Sequence, residues 1–137
     1  MFVRIDFNSD EAIYIQLKNQ IIMGIATSEI RDGESLPSVR DLADTIGINM
    51  HTVNKAYSIL RQEGYLRLDR RKGAVVCLDP DRLQAMEEIR FLFKGTVAKA
   101  LCRDIAPEEL HKMLDDVLAE FEGIRAACEP RNKEQII

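Results

Sequence analysis

Leu36–Leu66 reads LPSVRDLADTIGINMHTVNKAYSILRQEGYL. Two amphipathic repeats lie inside it. Val39, Leu42, Ala43 and Ile46 recur at i, i+3, i+4 and i+7, the spacing that lines one face of an α-helix. Ser38 precedes them as an N-cap, and Asp41 stands where a capping box places its acid, though Asp is shorter than the preferred Glu. Gly47 can adopt the left-handed conformation that ends such a helix. Val53, Ala56, Tyr57 and Leu60 then repeat the same spacing, with Asn49 as the cap and Gly64 as the stop. The turn between the two helices is only Gly47-Ile48-Asn49. Short amphipathic helices joined by a tight glycine-bearing turn predict a helix-turn-helix.

Outward on the C-terminal side come YLRLD, the basic tip RRKG and AVVCL. Two β-prone segments around a glycine-bearing tip predict a hairpin, which in this position is a wing. On the N-terminal side, Val3, Ile5 and Phe7 alternate with polar residues, as in a short strand or an extended arm. Asp10 is the expected N-cap of a helix with Tyr14, Leu17, Ile21 and Ile25 on its apolar face, ending before the Arg31-Asp32-Gly33 turn.

Asp79-Pro80 breaks the pattern, and the domain boundary is placed there. Leu83, Met86, Ile89, Phe93, Val97, Ala100 and Leu101 give the next helix a wide apolar face. Pro107 suits the first turn of a second helix, which carries Leu110, Met113, Leu114, Val117, Leu118, Phe121 and Ile124. The last residues, 129–137, have little pattern and are expected to fray. The expected fold is mostly α with one small β-hairpin. Residues 1–79 form a winged helix-turn-helix, and residues 80–137 form a two-helix dimerisation tail.

Composition narrows the function. The chain has 137 residues, 46% hydrophobic and 31% charged, which suits a small domain with an appendage. Its longest apolar candidate, IIMGIA at 21–26, is far short of a membrane span. Acids near the N-terminus argue against an export signal, so a cytoplasmic location is expected. Cys77, Cys102 and Cys128 are widely spaced and read as free thiols, and His51 and His111 offer few ligands for zinc, so neither metal nor cofactor is expected. No GxSxG, P-loop or HExxH occurs, and the acidic pairs Glu87-Glu88, Glu108-Glu109 and Asp115-Asp116 diverge around a helix, so no catalytic residue is assigned.

The net charge of −4 is unevenly spread. Residues 46–72 hold six basic groups against two acidic ones, a local +4, whereas residues 80–137 hold nine against twelve. That concentrates phosphate attraction at one end. The second helix of a helix-turn-helix presents its N-terminal side chains to base edges in the major groove of double-stranded DNA. Here these are Asn49, Met50, His51, Thr52, Asn54 and Lys55. Asn54, one turn in and off the apolar stripe, is the preferred base reader, because Asn can bond adenine bidentately. Thr52 and Lys55 are assigned to phosphate, and Arg40 on the first helix to phosphate or a guanine edge. Arg70, Arg71 and Lys72 at the wing tip are assigned to the backbone or minor groove.

The tail's two apolar faces exceed what the pair can bury mutually, so a second copy is expected. Met86, Ile89, Phe93, Val97, Leu101, Leu114, Val117, Leu118 and Phe121 are the expected dimer interface. Two helices can hardly enclose a ligand cavity, so an effector site is left to the dimer interface or the space under the wing. The alternative reading is a protein-interaction module whose tail docks on a partner.

The same stretch resembles the DNA-binding domain of the GntR family of bacterial regulators. Leu36-Pro37-Ser38, Arg40, Leu42-Ala43, Thr52-Val53, Ala56, Leu60 and Gly64 carry the resemblance, and Gly73-Ala74-Val75-Val76 is similar to the end of that family's wing. Arg71, where many members have glycine, and Met50, where many have a basic residue, depart from it. The opening IDFNSDEAIYIQL and the short two-helix tail resemble the YtrA-type branch. The resemblance implies a homodimer on a palindromic operator, with Arg40, Asn49, Met50, His51, Thr52 and Asn54 at groove and phosphate and Arg70 on the wing. It also implies repression of a nearby, commonly transporter, operon.

Overall fold

The computed structural model describes residues 3–128, so the expectation for 129–137 lies outside the described residues. Seven elements follow in order: α1 (Ile13–Ala26), α2 (Val39–Ile46), α3 (Met50–Gln62), β1 (Leu66–Asp69), β2 (Gly73–Val76), α4 (Arg82–Leu101) and α5 (Pro107–Cys128). Their contacts divide the chain into two units, Met1–Leu78 and Asp79–Ile137.

In the first unit, α3 packs against α1, α2 and β1. Leu17 and Ile21 of α1, Leu42 and Ala43 of α2, Val53, Ala56, Tyr57 and Leu60 of α3, and Leu66 and Val76 of the hairpin form one buried cluster. Each large side chain fully buried there contributes about 1.5–3 kcal/mol. The expected turn is present. Gly47 ends α2 at φ 80°, its N–H donating to the Ala43 carbonyl at 2.8 Å. Ser38 Oγ accepts the Asp41 N–H at 3.1 Å, and Asn49 Oδ1 accepts the His51 N–H at 2.8 Å. Both caps satisfy amides that the first turn of a helix leaves without partners.

One feature differs from the sequence expectation. Asp10 is not the N-cap of α1. That position is Ala12, which makes no side-chain cap, and the helix begins at Ile13. Its entry is organised instead by glutamines. Gln16, buried, accepts the Asp6 N–H (2.9 Å) and donates to the carbonyls of Asp6 (3.0 Å) and Glu11 (2.9 Å). Gln20 accepts the Arg4 N–H at 2.8 Å and donates to the Arg4 carbonyl. The two amides replace a neighbouring strand, so residues 3–6 remain an extended arm. The helix ends at Ala26, before the Arg31-Asp32-Gly33 turn as expected. Thr27 Oγ1 donates to the Met23 and Gly24 carbonyls, Ser28 takes a left-handed φ of 67°, and the Ile30 N–H reaches back to the Gly24 carbonyl at 3.0 Å. A Cβ at 24 would stand 2.8 Å from Ile30 Cδ1, so a larger residue there would have to displace the end of the Ile30 side chain.

The hairpin pairs Leu66 with Val76, Arg67 with Val75, Leu68 with Ala74 and Asp69 with Gly73. A third segment joins it. Leu36 N–H donates to the Ala74 carbonyl (2.8 Å) and Val76 N–H to the Glu34 carbonyl (2.9 Å), so the chain before α2 covers the free edge of β2. The sequence carried no strand signal there.

In the second unit, Asp81 caps α4 by accepting the Gln84 N–H at 3.1 Å, and α5 starts at Pro107 as expected. The two helices scarcely pack on each other. Ala100 is the one buried residue among the described residues of this unit, and most large apolar side chains of both helices stand exposed, with Leu110 and Phe121 half-buried. Among the described residues no helix is long and apolar enough to cross a membrane.

The arm provides a test of the fold. Gln16→Ala should cost roughly 2 kcal/mol of stability, because it strips three hydrogen bonds from one buried group. Urea unfolding should show the loss, and the Asp6 amide should exchange much faster. An unchanged Asp6 amide would show that the arm is held by other means.

Candidate nucleic-acid interface

The side chains of α3 fall into three sectors. Val53, Ala56, Tyr57 and Leu60 face the core. Met50, His51 and Asn54 are exposed, and Asn54, Ser58 and Arg61, spaced i, i+4, i+7, look across a cleft at the hairpin residues Leu66, Arg67, Leu68, Gly73 and Ala74. Lys55 lies on the opposite flank, with Nζ 4.0 Å from the centroid of the Tyr14 ring on α1. That distance is within cation–π range. Asn54 and Lys55 therefore belong to opposite borders of the exposed surface.

Asn49 uses its side-chain carbonyl to cap α3, which leaves its amide nitrogen as the group with no capping role. Met50, 42% exposed, is presented rather than packed away. Thr52 is half-buried, and Arg40 is exposed on the first turn of α2. Tyr57 ties α3 to the chain entering α2. Its hydroxyl donates to the Pro37 carbonyl at 2.8 Å, and burial pushes its ionisation far above the ordinary phenol range, so the hydroxyl stays a donor.

Arg70, Arg71 and Lys72 are all exposed at the wing tip. The left-handed residue of this turn is Gly73, at φ 75°, and Arg71 is not left-handed. Arginine in place of the family's glycine therefore imposes no backbone strain. Asp69 organises the tip. Its Oδ1 accepts the N–H groups of Arg71 (2.8 Å) and Lys72 (3.0 Å). These two bonds, reinforced by the charges of Arg67 and Lys72, hold its carboxyl below the ordinary 3.8.

The sequence reading assigned no site role to Tyr14, Ser58, Arg61 or Arg67. The helical spacing from Asn54 could have found Ser58 and Arg61. Tyr14 and Arg67 reach the surface only through tertiary packing.

A carboxyl whose folded pKa is depressed stabilises the fold above its unfolded pKa, and that contribution is lost as pH falls through the folded value. The Arg71 and Lys72 amide resonances should therefore report an acid transition whose midpoint lies below 3.8. Asp69→Ala should remove that acid transition and speed exchange of both amides at neutral pH. A transition at or above 3.8 would contradict the turn.

Three comparisons place this geometry among known proteins. Residues 11–76 match the model of the bacterial regulatory proteins of the gntR family. The HTH-type transcriptional repressor YtrA of Bacillus subtilis (strain 168) is 29% identical over 124 residues, spanning 88% of this chain and 95% of its own length. The structure of YtrA from Sulfolobus acidocaldarius, a GntR-family transcription factor, is 35% identical, covers 86% of this chain and 97% of its own, and superposes with a TM-score of 0.53. A transcriptional antiterminator from Listeria monocytogenes EGD-e is 27% identical, covers 88% and 92%, and superposes at 0.79. With a winged helix-turn-helix followed by two long helices, this chain belongs to the GntR family of bacterial regulatory proteins and is a YtrA-like transcription regulator.

Proposed function

We propose that the protein is a homodimeric repressor that binds a palindromic operator, with α3 in the major groove and the wing on the flanking backbone. The observation that carries this reading is the pairing of an exposed α3 face with a basic wing tip on one rigid unit. Asn54 reads a base edge. His51, Thr52 and Arg40 position the protein on the duplex with Asn49 and Met50 at the helix entry, and Arg70, Arg71 and Lys72 hold the backbone. Lys55 contacts phosphate from the Tyr14 flank, and the ring beneath it limits the orientations of its ammonium group.

The dimer reading rests on the tail. Leu83, Met86, Ile89, Phe93, Val97 and Leu101 form the expected stripe of α4 and are exposed, as are Met113, Leu114, Val117 and Leu118 of α5. Phe121 is half-buried. Monomers rarely expose apolar patches beyond a few hundred Å². Phe91 and Leu92 lie off the stripe and are also exposed, Phe91 to 77%. A helix apolar on more than one side needs cover on more than one side. We therefore place α4 between helices of the second copy, with Phe91 and Leu92 added to the interface. A symmetric dimer matches half-sites about 34 Å apart, and the likeness to the repressor YtrA supports repression of a nearby operon.

Fluorescence anisotropy with upstream and scrambled duplexes tests the DNA reading. The specific duplex should bind at least about 10³-fold tighter. Asn54→Ala should erase most of that ratio, whereas Arg70→Ala should weaken both duplexes and lower the salt slope by about one. Equal loss on both duplexes for Asn54→Ala would remove it as base reader.

Sedimentation velocity tests the dimer. Phe93→Lys and Phe91→Lys should each weaken self-association by at least about 10-fold, since each buries an unpaired charge. A dimer indifferent to Phe91→Lys would leave α4 covered on one side only. A wild-type monomer would favour the protein-interaction reading.

A further inference from the structure

The hairpin overhangs α3. Leu66 and Val76, paired across the strands, point into the core and are buried. Leu68 and Ala74, the next pair outward on the same face, extend past the point where α3 can fill the space beneath them. Leu68 is left 64% exposed although it lies on the inner face. Between this overhang and α3 is a cavity of about 220 Å³.

Its walls are chemically specific. Val39, the Tyr57 ring, Leu66, Leu68 and Ala74 supply an apolar body. Arg61 and Arg67 are the charged groups of the lining, and no acid is among them. Neither arginine belongs to the Lys18–Glu63 or Lys112–Asp116 ion pair, and the carboxylate that acts on Arg67, Asp69, lies outside the lining. The space is below the roughly 300–1,000 Å³ of sites for drug-sized ligands, so its occupant is small. Asn54 and Ser58 supply neutral polar groups on the α3 side.

We propose that the cleft between α3 and the wing binds a small amphipathic monoanion, an aromatic or aliphatic carboxylate, and that its occupancy competes with DNA. The apolar body lies under Leu68 and Ala74, and the carboxylate meets Arg61 and Arg67, where guanidinium–carboxylate pairing is geometrically favoured. Competition follows from shared residues, because Asn54 lines the cleft and is the proposed base reader. The competition therefore rests on the DNA reading, whereas binding in the cleft does not. By linkage, DNA must weaken the ligand as much as the ligand weakens DNA.

The test uses phenylacetate as the probe and phenylacetamide as its neutral counterpart, on the full-length protein at constant ionic strength. Titration followed by amide and side-chain NMR shifts should perturb Asn54, Arg61, Arg67 and Leu68, with a Kd on the order of 1 mM for a ligand of this size. Phenylacetamide should bind at least about 10-fold more weakly, the size of a lost charge-assisted bond. Ala74→Leu, which fills the cavity, should abolish the shifts while the rest of its amide spectrum stays that of the wild type. In wild type, ligand at ten times its Kd should weaken DNA binding about 10-fold. Absence of shifts in free protein, equal binding of acid and amide, or undiminished binding to Ala74→Leu would each overturn the proposal. Ligand that binds the cleft yet leaves a measured DNA complex unaffected would overturn the competition. Ligand that binds the cleft of a protein with no DNA affinity would uphold the site and sink the DNA reading instead.

Discussion

The first unit depends on one stripe of α3. Val53, Ala56, Tyr57 and Leu60 take the packing of α1, α2 and β1 together, so a single helix face fixes where three other elements sit. Ala56 is fully buried, which lets backbones approach closely, and Leu60 fills the centre. Truncating a side chain like Leu60 costs about 2–5 kcal/mol because a cavity remains beside the lost contacts. The opposite face of the same helix is thereby held rigidly toward solvent. A recognition surface needs that rigidity, since base-edge hydrogen bonds tolerate little misplacement.

Polar groups then trim this core into a defined orientation. Tyr57 spans from the buried stripe to the Pro37 carbonyl and ties α3 to the start of α2 independently of the short turn. Ser38 and Asn49 cap the two helices with side chains that hold the turn geometry. At the wing, Asp69 folds the tip with two hydrogen bonds to the backbone and places three cations beside each other. Like charges so close repel, and an anionic partner relieves that repulsion. The wing is thus a turn whose charge is best neutralised from outside.

The second unit obeys a different constraint. Its helices have good caps and starts, yet Ala100 is its one buried residue among those described. Helical propensity and capping form each helix locally, but tertiary burial ordinarily supplies most of a helix's stability. The proposed second copy would supply the core that such a tail lacks.

Much of this was legible in the sequence because it depends on short-range rules. The two periodic stripes, Ser38, Gly47 and Asn49 act within a few residues of themselves, so α2, α3 and their turn could be read directly. The hairpin itself followed from β-prone segments on either side of a glycine tip, whereas its register came only with the structure. The errors arose where distant residues decide. Asp10 looked like a cap, but Gln16 and Gln20 bind the arm from across the helix, and no local pattern encodes a side-chain amide standing in for a strand. The bond by which the Ile30 N–H folds the chain back on the Gly24 carbonyl after α1 was not legible locally either. The pairing of residues 34–36 with β2, the stacking of Lys55 on Tyr14 and the empty space under Leu68 likewise exist only once separated segments meet. The sequence alone determined the elements and the faces they bury, because capping and periodicity are local. The tertiary structure decided which flank of α3 each polar residue serves, because that depends on what packs beside it.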